Sequence, residues 1–307
     1  MYFRHSYAPE RGCIEMKRSM QSLFKALGWQ RYKTTFGTSP FRTKTYITIR
    51  KLMKTKIFAA LLLLFTLPGF ATRDSLPLNI VFIGNSITHG AMLHNAGQDA
   101  PPVKCAAWLE SQEGIGKVEI ENQGYNGAST FDFLPETGNL FDRVQAAADR
   151  LARKKGMLIF SLMLGTNDSA EEGTTGAPVS AEQYRKNVEQ IVLRLLERYP
   201  SARIVLHRPL WYSPNTYNGA KYLVAGQKRL LSYTPQIEAV VASFAITHPN
   251  RVFIGDTSAY DDLKEHALTD YAAEEGKAGV FYLHPNERGG SKLARYWGEA
   301  ILKAIQQ

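Results

Sequence analysis

The sequence is poor in cysteine. Its 307 residues include two, Cys13 and Cys105, and neither lies in a C-x-x-C pair or in a Cys/His spacing typical of a zinc site. Cys13 lies in a leader that we predict below to be removed, so the mature chain retains one cysteine and cannot form an intrachain disulfide. We also predict no metal centre and no cofactor. Cys105 precedes Trp108 in a predicted helix, and we expect it to be a small, buried apolar residue.

Basic charge is scarce in most of the chain, although the whole sequence carries a formal net charge of +9. Residues 1–71 contain 13 of the 37 Lys and Arg but 2 of the 28 Asp and Glu, which leaves 24 basic and 26 acidic residues in 72–307. Nucleic-acid binding needs a basic face on the folded domain. The composition of residues 72–307 therefore argues against a nucleic-acid partner.

The chain also lacks an apolar run of the roughly 20 residues that cross a bilayer. A shorter apolar run at 57–67 follows the basic segment that begins at Met53, and the small residues Gly69 and Ala71 come after it. That order is typical of a secretory signal peptide. We therefore predict a signal peptide at 53–71, cleaved after Ala71.

The first 52 residues complicate this interpretation, because a signal peptide begins at the N-terminus. We predict that Met53 is the true start and that residues 1–52 are a spurious or disordered extension. The mature chain is then secreted or periplasmic and has no stable membrane association. The alternative is a real basic extension, with 57–70 as a buried or membrane-anchoring segment.

Residues 72–307 are numerous enough for one domain, in which strand-like and helical segments alternate. The strand-like segments are 79–83, 118–121, 157–164, 203–207 and 251–254. The main helical segments are 181–199, 222–244 and 286–305. This alternation predicts a three-layer α/β/α sandwich with a parallel central sheet. Functional groups of such sheets gather beyond the carboxyl ends of the strands.

Four short motifs stand at predicted loops or strand ends. They are Gly84-Asn85-Ser86-Ile87-Thr88, Tyr125-Asn126-Gly127-Ala128-Ser129, Gly165-Thr166-Asn167-Asp168 and Leu283-His284-Pro285-Asn286. Alone, each has an ordinary structural interpretation: a helix-capping serine, a loop glycine, a turn asparagine and a structural histidine. Their significance lies in their occurrence together and in this order.

In that order the motifs resemble those of the SGNH (GDSL-type) hydrolase family, over about residues 78–307. The resemblance implies a flavodoxin-like sheet and an esterase with Ser86 as nucleophile and His284 as its base. It also implies an oxyanion hole made by the backbone N–H groups of Ser86 and Gly127 and the side chain of Asn167. Histidine suits the role of base because it exchanges protons near neutral pH.

Two positions depart from the family pattern. Asn85 stands where Asp is usual, and Phe281 stands three residues before His284, where the family has the Asp that orients the histidine. Either another acceptor serves or the site works as a Ser–His dyad. The candidate acceptors are Asp270, Glu274, Glu275 and a backbone carbonyl.

The substrate is less closely defined. Export, the aromatic Trp211 and the polar loop at 213–219 favour an acetylated carbohydrate, although Trp211 could equally fill a gap between sheet and helix. The family resemblance also admits a lipid acylhydrolase or a thioesterase, and Phe281 admits a non-catalytic glycan-binding protein. The oligomeric state stays open. Three other histidines, with no metal-binding spacing, are expected to be structural or peripheral: His89, His94 and His207.

Overall fold

Five parallel strands form the central sheet of the computed structural model, which describes residues 75–136 and 139–307. The strands are β1 (Leu76–Gly84), β2 (Ile115–Gly124), β3 (Met157–Met163), β4 (Arg203–Leu206) and β5 (Val252–Ile254). They lie in the order β2-β1-β3-β4-β5, which is the flavodoxin-like order. Each coincides with one of the predicted strand segments, and the predicted fold class is confirmed.

Helices cover both faces of this sheet. In chain order they are α1 (Ser86–His89), α2 (Ala96–Asp99), α3 (Pro101–Glu110), α4 (Asn139–Ala152), α5 (Ala181–Arg198), α6 (Leu223–Thr247), α7 (Ala259–Glu265), α8 (Ala267–Asp270) and α9 (Glu287–Gln306). One apolar cluster joins the sheet to α4, α5 and α6, and a second joins its other face to α3, α7 and α9. These clusters separate the three layers.

Strand β1 shows why the chain forms this sandwich. Leu78, Ile80 and Phe82 pack into the cluster with α3 and α9, whereas Val81 and Ile83 pack into the cluster with α4 to α6. Side chains of a strand alternate between the two faces of its sheet, so a continuous apolar run feeds both cores. The carboxyl end of β1 is thereby held inside the sheet, between β2 and β3.

A second, two-stranded sheet was not expected from the sequence. Its antiparallel strands are β6 (Tyr271–Gly276) and β7 (Gly279–Pro285), and Lys277 and Ala278 connect them. Strand β6 contains no β-branched residue and two adjacent glutamates, so its composition gives little indication of a strand. The hairpin nevertheless leads directly into α9 and carries His284.

Cys105 is fully buried in the cluster with α3 and α9, as expected, and burial raises the pKa of its thiol. The predicted signal peptide at 53–71 and the extension at 1–52 lie outside the described residues. Within the described residues, 75–136 and 139–307, no helix has both the length and the apolar character needed to cross a membrane.

Candidate active site

Ser86 stands immediately beyond the carboxyl end of β1. The strand ends at Gly84, and the side chain of Asn85 caps α1 by accepting a 3.0 Å hydrogen bond from the backbone N–H of Ile87. A Cβ atom on Gly84 would lie 2.0 Å from Oγ1 of Thr88, so this tight strand-to-helix turn requires glycine. The turn presents Ser86, half-buried, as the first residue of the helix.

The fold brings Ser86 and His284 together across 198 positions of sequence. Nε2 of His284 lies 2.8 Å from Oγ of Ser86, and its Nδ1 lies 2.9 Å from each carboxylate oxygen of Glu274. A carboxylate can only accept, so Nδ1 carries the ring proton and Nε2 directs a lone pair at the serine hydroxyl. Among the alternatives left open by the sequence, Glu274 occupies the place beside the histidine.

A β-bulge aims His284 at Glu274. Across the hairpin Tyr271 pairs with Pro285 and Ala273 pairs with Tyr282, so a step of two residues on β6 faces a step of three on β7. Regular alternation would point residue 284 away from the face that Glu274 occupies. The extra residue reverses this, as bulges commonly do beside active sites. The backbone N–H of His284 also donates to Oε1 of Glu274 at 3.1 Å.

A cavity of about 410 Å³ opens beside Ser86. Its walls are formed by Ser86, Ala91, Asn126, Gly127, Asn167, Gly173, Thr174, Asn218, Gly219, Ala220, Tyr222, Leu283 and His284. All four residues predicted from the motifs therefore line one cavity. Gly127 adopts φ +75° in its loop, a conformation that favours glycine, and a Cβ atom there would meet nothing within 4 Å.

The side-chain amide of Asn167 is held by two hydrogen bonds. Its Nδ2 donates to the carbonyl oxygen of Ala128 at 2.8 Å, and its Oδ1 accepts from the hydroxyl of Tyr222 at 2.6 Å. Asn167 is 3% exposed and lines the cavity together with Ser86. The sequence indicated Asn167 but not Tyr222, because a tyrosine at the start of a long helical segment is usually an ordinary core residue.

The neighbouring Asp168 anchors the loop that follows Gly127. Its Oδ1 accepts from the backbone N–H of Thr130 at 3.0 Å and from the Thr130 hydroxyl, which also accepts from Asn187 at 2.7 Å. Burial raises the pKa of Asp168 to about 6, and the Thr130 hydrogen bonds oppose that rise. Asp168 thus ties the loop of Gly127 to the strand end that carries Asn167.

A second serine–histidine contact, between Ser161 and His207, lies inside the core. Nε2 of His207 is 2.9 Å from Oγ of Ser161, and Nδ1 accepts from the backbone N–H of Asp256 at 2.9 Å. Nε2 of the neutral ring must therefore carry the proton and donate to Ser161, so His207 cannot act as its base. Burial lowers the pKa of His207 to about 3, which keeps the ring neutral. This contact is structural.

Trp211 is not among the described residues that line the cavity at Ser86. Its ring packs edge-on against Tyr271, with 5.7 Å between ring centroids, and its carbonyl accepts from the Tyr271 hydroxyl at 2.8 Å. The structure therefore gives Trp211 a packing role at the hairpin. Its predicted contact with a sugar ring stays a prediction.

His89 and His94 are exposed, as expected of peripheral residues.

One group of possible metal ligands occurs in the described residues: Asp262, His266 and Asp270. The carboxylates of this group are already paired with cations. Nζ of Lys292 lies 3.2 Å from Asp262 and 2.7 Å from Asp270, and Nε of Arg288 lies 3.0 Å from Asp270. A divalent cation would have to displace two basic side chains, so this cluster is an ion-pair network.

The sequence model of the GDSL-like lipase/acylhydrolase family matches residues 82–291, which run from β1 into α9 and include Ser86, Gly127, Asn167 and His284. The chain belongs to this family. It is accordingly a carboxylic ester hydrolase. No curated protein matches the chain.

Two solved structures have the same fold as this chain. LAE5, an alpha/beta hydrolase enzyme from the metagenome of Lake Arreo, is 22% identical in sequence to this chain and superposes with a TM-score of 0.50. The match covers 77% of this chain and 98% of LAE5. A variant of Axe2, an acetyl xylan esterase from Geobacillus stearothermophilus, is 18% identical to this chain with a TM-score of 0.50. That match covers 76% of this chain and 96% of Axe2. At these identities the likeness concerns the fold alone.

Proposed function

We propose that this GDSL-like hydrolase is an exported serine esterase that removes small acyl groups, above all acetyl, from carbohydrates through an acyl-enzyme intermediate. The observation that carries the proposal is the chain of contacts from Ser86 through His284 to Glu274, at 2.8 and 2.9 Å. A serine hydroxyl is a weak nucleophile unless a base lies within hydrogen-bond reach and a third group orients that base.

In the first half of the reaction, Oγ of Ser86 attacks the ester carbonyl carbon while its proton passes to Nε2 of His284. The carbonyl electron pair moves onto oxygen, and Glu274 stabilises the imidazolium that forms. The backbone N–H groups of Ser86 and Gly127 and the amide of Asn167 receive the oxyanion. When the intermediate collapses, the alkoxide leaves and takes the proton from His284 as an alcohol.

In the second half, water replaces the alcohol. His284 accepts a proton from the water, whose oxygen attacks the acyl carbon, and the second intermediate collapses to release the carboxylic acid and Ser86 with its proton restored. No metal or redox group takes part in either half of this scheme. The described residues of the cavity supply the nucleophile, the base and the donors.

The walls of the cavity support a small acyl group and a polar alcohol. Beside the catalytic groups they consist of small residues such as Gly219 and Ala220 and of polar residues such as Asn126, Thr174 and Asn218. A long acyl chain gains roughly 0.8 kcal/mol for each methylene that it buries against apolar surface. Leu283 is the one large aliphatic side chain among the lining residues that the structure describes, so such a chain gains little here.

Hydrolysis of p-nitrophenyl acetate by the wild type and by Ser86→Ala tests the catalytic part of the proposal. We expect Ser86→Ala to lose activity by roughly 10³-fold or more, because the covalent route is closed. Ser291→Ala is a matched control, since Ser291 is exposed on α9 and its hydroxyl donates to the carbonyl of Glu287. A wild type that hydrolyses the ester no faster than the buffer blank would favour a non-catalytic glycan-binding protein instead, and full activity in Ser86→Ala would point to another nucleophile.

A panel of p-nitrophenyl esters of increasing acyl length, together with acetylated polysaccharides, tests the substrate part. We expect kcat/KM to be highest for acetate and to fall as the chain lengthens. A maximum at octanoate or longer would favour the lipid acylhydrolase, and selective cleavage of acyl thioesters would favour the thioesterase.

Export is proposed from the sequence alone, since residues 53–71 lie outside the described residues. N-terminal sequencing of the exported protein should find a mature chain that begins near Thr72. Recovery of the full-length chain in the membrane fraction would support the alternative of a basic extension with a membrane-anchoring segment.

A further inference from the structure

The amide of Asn167 has one N–H group left for a substrate. A primary amide carries two N–H donors and one carbonyl acceptor. The carbonyl oxygen of Ala128 takes one donor at 2.8 Å, and the Tyr222 hydroxyl occupies the acceptor at 2.6 Å. Because Asn167 lines the same cavity as Ser86 and His284, the remaining N–H is the one available to an oxyanion.

The hydroxyl of Tyr222 is well placed to hold that amide. Tyr222 is 3% exposed, and its ring packs edge-on against Tyr212 with 5.3 Å between centroids. Burial raises the pKa of Tyr222, and the charge of Glu274 raises it further. Both effects favour the protonated phenol, which donates its hydrogen bond to the oxygen of Asn167 rather than to the nitrogen.

The backbone around Tyr222 is fixed without help from this hydroxyl. The N–H groups of Tyr222 and Leu223 both donate to the carbonyl of Thr216 at 3.2 Å. The preceding loop, residues 213–222, is bound to the hairpin where Ser213 and Tyr282 exchange hydrogen bonds, at 2.8 Å onto Oγ of Ser213 and at 2.9 Å onto the carbonyl of Tyr282. Removing the phenolic oxygen should therefore leave the loop in place.

We propose that Tyr222 is a positioning residue for the oxyanion hole, acting through Asn167. Its hydrogen bond fixes the orientation of the amide and draws electron density toward Oδ1, which makes the free N–H a stronger donor to the developing charge. The inference rests on the proposed esterase function and deepens it, because it extends the oxyanion hole to a side chain outside the family motifs.

A double-mutant cycle on p-nitrophenyl acetate tests this role. Tyr222→Phe should lower kcat about tenfold, the size of one net hydrogen bond, and leave KM within about twofold. In the Asn167→Ala background the same change should alter kcat by less than about twofold, because its target is gone. Tyr233→Phe is the matched control, since that buried hydroxyl donates to the carbonyl of Val179 at 2.7 Å, and it should keep wild-type kcat.

The outcomes separate this inference from the proposed function. Tyr222→Phe with wild-type kcat, in a protein that Ser86→Ala inactivates, would overturn the positioning role and leave the esterase standing. A tenfold loss that persists in the Asn167→Ala background would also overturn it, because Tyr222 would then act on the substrate itself. Wild-type activity in Ser86→Ala would overturn both proposals.

Discussion

Replacement of Glu274 by Gln is the sharpest test of the catalytic arrangement. The two side chains of the His284–Glu274 pair are each 10% exposed, so water screens their interaction only in part. At an effective dielectric constant of about 20, opposite unit charges roughly 4 Å apart attract by about 4 kcal/mol. This attraction exists only once His284 is protonated in the transition state, so its loss should lower kcat by about 10³-fold.

Hydrogen bonding adds to the electrostatic loss in Glu274→Gln. The carboxylate has two oxygens for the Nδ1–H and the backbone N–H of His284, whereas Gln has a single oxygen. A flipped amide would donate to Nδ1 and favour the tautomer with a proton on Nε2, which cannot accept from Ser86. Glu274→Asp keeps the charge on a shorter side chain and should retain intermediate activity.

The assay is steady-state hydrolysis of p-nitrophenyl acetate, with circular dichroism to show that each variant is folded. Glu275→Gln is the matched control, because Glu275 is exposed on the next position of β6 and points to the opposite face. The reasoning is refuted if Glu274→Gln keeps a tenth or more of the wild-type kcat, or if Glu275→Gln falls equally. The first result would favour a Ser–His dyad, and the second would show that the loss does not depend on the contact with His284.

Two further predictions concern the strand end that carries Asn167. Asn167→Ala should lose about 10²–10³-fold in kcat while its far-UV spectrum stays native, and a folded variant with near wild-type kcat would remove this amide from the oxyanion hole. Asp168, whose pKa is raised from 3.8 to about 6, makes a contribution to stability that is full below about pH 3.8 and is lost as pH rises through about 6. The free energy of unfolding of the wild type relative to Asp168→Asn should therefore fall by up to about 3 kcal/mol between pH 4 and 7. Urea denaturation across that range measures it, and a constant difference would contradict the assignment of the raised pKa.

The central fold could be predicted from the sequence because burial leaves a strong pattern in residue type. Residues 157–164 were expected as a strand buried on both faces, and β3 spans Met157–Met163 with its last five positions buried. The helix expected at 181–199 is α5, Ala181–Arg198, which ends before Pro200. Apolar residues two or four positions apart have few alternatives to a strand or an amphipathic helix in a chain that must bury them.

Three of the four motif residues could be placed for a related reason. Parallel strands end at the same edge of the sheet, so residues that follow different strands become neighbours whatever their separation in sequence. Ser86 follows β1, Gly127 follows β2 and Asn167 follows β3. This reasoning does not find Tyr222, because Tyr222 does not stand at the end of a strand. It contacts Asn167 from the start of α6.

The position of Glu274 could not be predicted, because it depends on pairing register rather than on residue type. The family pattern directs attention to Phe281, yet residue 281 lies directly opposite residue 274 in the hairpin, where paired side chains share a face. A carboxylate at 274 therefore lies on the face where the family pattern expects one. The register itself follows from a two-residue connection at 277–278 and from one extra residue between Tyr282 and Pro285. Neither feature changes the composition of the segment. In a regular strand, residue 284 would face away from Glu274. Among the described residues, Glu274 is the only acceptor that contacts Nδ1 of His284 and so orients its Nε2 toward Ser86.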